Sequence, residues 1–183
     1  MGRLPLAFLA ACALGGAVAT AWAGKAHEHG VARLDLAVEA GRLTLALDAP
    51  LDSLLGFERA PRTEAERERV ASMVARLRDA GSLFRIDSAA GCTLAKVELV
   101  SAPLGLGPAP GLGSTGAPAK EGHGDLEGHF EFSCKAGARA GFVEVGLFEA
   151  FAPLRRVELQ VVTPKGQMKA TLVRPASRVA LVR

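Results

Sequence analysis

Val31–Pro50 reads VARLDLAVEAGRLTLALDAP, two alternating runs on either side of a short polar break. In the first run Leu34, Leu36 and Val38 interleave with Arg33, Asp35, Ala37 and Glu39. In the second, Leu43, Leu45 and Leu47 repeat the pattern after Glu39-Ala40-Gly41. Successive strand residues point to opposite faces, so each run is a strand with one buried face, and the two form a hairpin. Pro50 lacks an N–H for the ladder and ends the second strand. LDSLLGFERAP, Leu51–Pro61, then predicts a short helical turn followed by a loop.

Downstream the period changes. Val70, Met73, Val74 and Leu77 fall at i, i+3, i+4 and i+7, the stripe of an amphipathic helix spanning Thr63–Ala80. Thr63 and Glu66 have capping-box spacing, Glu64 adds negative charge to the first turn, and Gly81 is placed to end the helix. LFRID, LAKVELV, FEFSC, FVEVGLF, RVELQVV and MKATLV return to strand-like patterns, with Thr163-Pro164-Lys165-Gly166 as the turn between the last two. Pro103–Lys120, PLGLGPAPGLGSTGAPAK, is dominated by Gly, Pro, Ala and Ser and has too little apolar surface to offset the entropy of ordering. The expected fold class is α+β: one domain over residues 24–183, with an antiparallel-rich β-sheet, one main helix and a long flexible Gly/Pro/Ala insert at about residues 103–129.

Residues 1–23 stand outside that domain. MGRLPLAFLAACALGGAVATAWA carries Arg3, a long apolar run and the small-x-small triplet Ala21-Trp22-Ala23, the pattern of a secretory signal peptide. Leu9-Ala10-Ala11-Cys12 also resembles a lipobox, the alternative being lipidation at Cys12, but the apolar run continues well past that cysteine. A periplasmic protein with no membrane insertion after signal removal is expected. Arg3 is the only charge lost, so the net charge of +3 for the whole chain falls to about +2, from interspersed rather than clustered residues. No nucleic-acid partner is expected: the chain has no Tyr, and its single Trp lies in the signal, so a stacking platform is missing. Cys92 and Cys134 remain, and in an oxidising compartment such a pair reads as a disulfide, which takes both thiols away from any metal.

The remaining chemistry lies in four histidines, His27 and His29 in HEHG, and His123 and His129 in HGDLEGH. Imidazole is the commonest protein metal ligand, and carboxylates complete a borderline shell. If the second segment is extended, His123, Asp125, Glu127, His129 and Glu131 share one parity, and Leu126, Phe130, Phe132 and Cys134 share the other. Every ligand-capable side chain would then lie on the polar face. His27 and His29 likewise match Arg33 and Asp35 rather than Leu34 and Leu36. HxH alone is a weak signal, and polar segments of exported proteins carry histidines without binding metal. A tetrahedral zinc site requires the two pairs to converge. Cleavage after Gly24 would place His27 third from a free amine, an arrangement that chelates copper or nickel, whereas the expected cut after Ala23 places it fourth. Zinc therefore ranks first.

The order of motifs is informative as a whole. An export signal precedes AHEHGVARLDLAVEAGRLTLALDAPLDSLLGFERAPRT and a capped helix; a variable linker with acidic and histidine residues, EFSC and VEVGLFEAFAPLRRVELQVVTPKGQ follow. This order resembles the ZrgA-like family of bacterial periplasmic zinc-binding proteins over nearly all of the chain after its signal, HEHGVA and GFERAP being the more specific motifs. The resemblance implies a periplasmic protein that holds zinc and supports its acquisition with a zinc importer component. It also implies a metal-binding His/Asp/Glu-rich stretch inside the linker, here reduced to KEGHGDLEGH. Carried over residue by residue, His123, Asp125, Glu127 and His129 match that stretch, and His27 and His29 match the N-terminal motif.

Three functions compete on these grounds. A zinc accessory protein or buffer works by reversible coordination without catalysis, and its affinity falls as pH drops through about 6.5, where histidine protonates. The alternative is a metal-independent envelope binding module that uses the sheet or the insert. A secreted hydrolase ranks last, because HExxH and GxSxG are missing and the histidines flank chain expected to be flexible.

Overall fold

The computed structural model describes residues 28–107 and 124–181. The hairpin forms as its alternation requires: β1 (Val31–Val38) and β2 (Arg42–Pro50) pair antiparallel, with Leu34 opposite Leu47 and Leu36 opposite Leu45. All four leucines are buried, and Asp35 between them is exposed. The short turn after Pro50 is α1 (Leu51–Leu55), closed by Gly56 in the left-handed region at φ 82°.

The main helix is α2 (Glu64–Arg78). Thr63 Oγ1 accepts the Glu66 N–H and the Glu66 carboxylate accepts the Thr63 N–H, so the capping box is complete. Met73 and Leu77 are buried, and Val70 and Val74 pack at the edge of the core. The expected stop at Gly81 is corrected: the helix ends at Asp79, and Gly81 lies inside a further turn, α3 (Ala80–Leu83). Ala80 and Leu83 of this further turn are both buried in the core.

The Glu66 carboxylate does more than cap. It takes the Arg59 guanidinium in two bonds, of 2.8 and 2.9 Å, and the Arg62 N–H at 2.6 Å. Arg59 first, then these backbone donors, hold its pKa down to about 2, against an ordinary 4.5. A carboxyl whose folded pKa is depressed stabilises the fold above its unfolded pKa and loses that contribution as pH falls towards the folded value. Urea midpoints measured between those two pH values should therefore fall less steeply for Glu66→Gln, which should already be weaker at neutral pH.

The remaining strands are β3 (Phe84–Ile86), β4 (Cys92–Val100), β5 (Asp125–Cys134), β6 (Phe142–Val145), β7 (Arg156–Thr163), β8 (Gly166–Val173) and β9 (Arg178–Ala180), with a short helix α4 (Leu147–Ala150) after β6. They form a six-stranded sheet, β4-β5-β2-β1-β7-β8, and a three-stranded sheet, β3-β6-β9. The large sheet is mixed: β1 and β7 run parallel, with Leu34 beside Leu159, and its other pairs are antiparallel. Its buried face meets α2 and the small sheet in one apolar cluster, and the Phe84 and Phe130 rings, 5.0 Å apart at 59°, join the two sheets. The α+β expectation thus stands, with a parallel pair and a second sheet added.

Two further readings meet the structure here. Cys92 and Cys134 lie directly opposite on β4 and β5 and are disulfide-bonded. Residues 125–129, read as the end of the insert, are instead the first half of β5. Gly128 hid this half of the strand. It occupies a buried position where an apolar side chain would complete the alternation, and a β-carbon there would stand 2.9 Å from Phe130 Cζ, so the Phe130 ring takes that space.

Candidate metal centre

His29 sits in the turn that leads into β1 and is held through its backbone. Gly30 follows at φ 78°, and a β-carbon at that position would stand 2.6 Å from Arg155 Nε, so only glycine lets the guanidinium lie there. Arg155 Nη2 donates to the His29 carbonyl at 2.9 Å, and the Arg155 and Arg156 N–H groups donate to the Gly30 carbonyl at 2.8 and 3.0 Å. Arg156 also pairs with Glu28.

The partners of His29 come from the segment after β2. Asp52 lies in the first turn of α1, and its neighbour Ser53 is fully buried. The Ser53 hydroxyl accepts the Gly30 N–H at 2.9 Å and lies 3.4 Å from Asp52 Oδ1, tying α1 to the histidine turn. Glu58 follows two residues after Gly56. Phe57 packs against the core, and Arg59 lies 5.3 Å over its ring while binding Glu66. Both neighbours of Glu58 are therefore fixed.

His29 Nδ1 hydrogen-bonds Asp52 Oδ2 and lies 3.9 Å from Glu58 Oε1, and one donor atom from each of the three residues falls within 4.8 Å of the others. The His29 side chain is 69% exposed against 17% for Asp52, so the carboxylates are seated in the fold and the imidazole faces water. The Asp52 hydrogen bond, then the Asp52 and Glu58 charges, raise the His29 pKa above 6.5, while Arg155 opposes them. The group thus concentrates positive charge, for which a proton and a metal ion compete. One nitrogen and two carboxylate oxygens suit a borderline divalent cation such as zinc, with an open position for water or a further ligand. Magnesium and calcium favour all-oxygen shells, and copper(I) favours sulfur.

The other described residues singled out in the sequence are not members of this group. His27 and His123 fall outside the described residues. Asp125 opens β5 opposite Pro50, its carbonyl accepting the Ser101 hydroxyl at 2.8 Å. Glu127 and His129 are exposed on the polar face, as parity required. His129 pairs across β2 Ala46 with β1 Asp35, six residues along the strand from His29 and so about 20 Å away. It borders a trough of about 460 Å³ over Ala37, Thr44 and Ala46. The sheet register therefore keeps His29 and His129 apart. Asp52 and Glu58 were not picked out as ligands from the sequence; the one trace of them is that GFERAP, which contains Glu58, is one of the more specific motifs.

A family model described as ZrgA family zinc uptake protein matches residues 26–181. No curated relative matches the chain.

Proposed function

We propose that this chain, which belongs to the ZrgA family of zinc uptake proteins, is a periplasmic zinc-binding accessory or buffer that holds the ion reversibly, without catalysis, and hands it on to an importer component. The observation that carries this reading is the meeting of HEHGVA and GFERAP, far apart in the chain, at His29 and Glu58. Asp52 completes a three-donor group whose chemistry fits zinc. An exposed imidazole over two seated carboxylates favours exchange, because water reaches the ion's open side. The disulfide fits an exported protein, and no helix among the described residues is long and apolar enough to cross a membrane.

Calorimetric titration of the mature protein with zinc tests the proposal, set against a variant with alanine at His27, His29, His123 and His129. Equal binding by the two would sink it. The pH dependence adds a second check. Zinc must displace the proton that Asp52 and Glu58 favour on His29, so apparent affinity should decline as pH falls, with the onset above 6.5 rather than at it. Titrations from about pH 8 to about pH 6 locate that onset.

A further inference from the structure

Gly124 is buried and immediately precedes β5. A β-carbon built on it would stand 2.1 Å from the Glu58 carbonyl oxygen and 2.7 Å from the carbonyl carbon, with Leu51 Cδ1 at 3.0 Å. The two nearest atoms are backbone, so no side-chain rotation could relieve the contact. The carbonyl of Gly124 in turn accepts the Leu51 N–H at 2.7 Å. One residue therefore touches both ends of the segment that carries the carboxylates: Leu51, just before Asp52, and Glu58.

We propose that Gly124 is a positioning residue of the cation site. Its bare α-carbon lets the Leu51–Glu58 segment close against the start of β5, and this sets where the Glu58 carboxylate stands relative to Asp52 and His29. The inference rests on the zinc reading above. Arg155, just before β7, and Ser53, within α1, fix the His29 and Asp52 side of the site, and Gly124 does the same for Glu58. A methyl group at residue 124 would force the Glu58 carbonyl away by about 1 Å, several times the roughly 0.2 Å within which metal–ligand distances are held. The effect on zinc would thus pass through Glu58.

The test is zinc titration of the full mature chain carrying Gly124→Ala, Glu58→Ala, or both. Gly124→Ala is expected to lower zinc affinity by about tenfold or more, the range for a lost outer-shell partner, and to add little once Glu58 is alanine. Unchanged affinity in Gly124→Ala, or a loss that simply adds to that of Glu58→Ala, overturns the proposal. Should Gly124→Ala not fold, hydrogen exchange of the unaltered protein takes its place. The Leu51 amide, bonded to the Gly124 carbonyl, should exchange more slowly with zinc bound, and an unchanged rate overturns the proposal. Equal zinc binding by the unaltered and Glu58→Ala chains would likewise overturn the proposal, whereas equal binding by the unaltered chain and the variant with alanine at all four histidines would remove the zinc reading itself, so the two failures are distinguishable.

Discussion

Replacing His29 with alanine is expected to weaken zinc binding by roughly 10- to 100-fold or more, and replacing His129 to leave that binding event in place. His29 supplies the one nitrogen of the three-donor group, and without it two carboxylates remain, a poorer shell for zinc than for calcium or magnesium. Asp52→Asn should lose a comparable amount, because the Asp52 carboxylate is both a donor of the group and the hydrogen-bond partner that orients the imidazole. His129 lies about 20 Å away along the sheet. Glu98, opposite His129 on β4, is already paired with Lys96 at 2.8 Å. His29 is largely exposed, and ion pairs of exposed groups contribute little to folding, so its replacement should leave the melting temperature nearly unchanged. Calorimetry with a competing chelator, run beside thermal melts, separates loss of a ligand from loss of the fold. Tight binding by His29→Ala would place the metal elsewhere in the chain.

The elements that sequence made legible are those whose pattern is local. Alternation sufficed for the β1–β2 hairpin, because each leucine lies on the face that its neighbours predict. Spacing sufficed for the capping box at Thr63 and Glu66, which needs only three residues of separation. Parity assigned the faces of β5 correctly, even though Gly128 concealed where that strand starts. Non-local pairings left no such trace. Nothing in RVELQVV tells that it runs parallel to β1 rather than antiparallel to another strand. The candidate site belongs to this second kind. Asp52 and Glu58 reach His29 because α1 folds back against the turn that precedes β1, a geometry set by buried Ser53, by Gly30 under Arg155 and by Gly124 against Glu58. Each of these residues looks ordinary in the sequence. The His29 end of the site was legible because histidines are few, whereas its carboxylates were two among many acids.

Removing the disulfide with Cys92→Ser and Cys134→Ser together is expected to cost about 4 kcal/mol of stability, the loop-closure term for residues this far apart in sequence. At roughly 3 °C per kcal/mol for a domain of this size, Tm should fall by about 12 °C. The magnitude follows from what the bridge holds. Among the described residues β4 is an edge strand, paired with β5 alone, and its inward residues Leu94, Val97 and Leu99 are only partly buried. Apolar burial thus anchors it weakly, and the covalent link at Cys92 and the Ser101–Asp125 hydrogen bond hold its two ends. Amides of β4 should therefore lose exchange protection before those of β1 and β2. The loss should not reach the metal. β2 runs from Arg42, beside the disulfide end of β5, to Pro50, beside α1, so the bridge and Asp52 lie about 27 Å apart along the sheet. Zinc affinity measured well below the lowered Tm should match that of the unaltered protein. A double variant that melts within about 2 °C of the unaltered chain would show that β4 is held by something other than its covalent link. One that melts lower and also loses zinc would show that the two ends of the sheet are coupled.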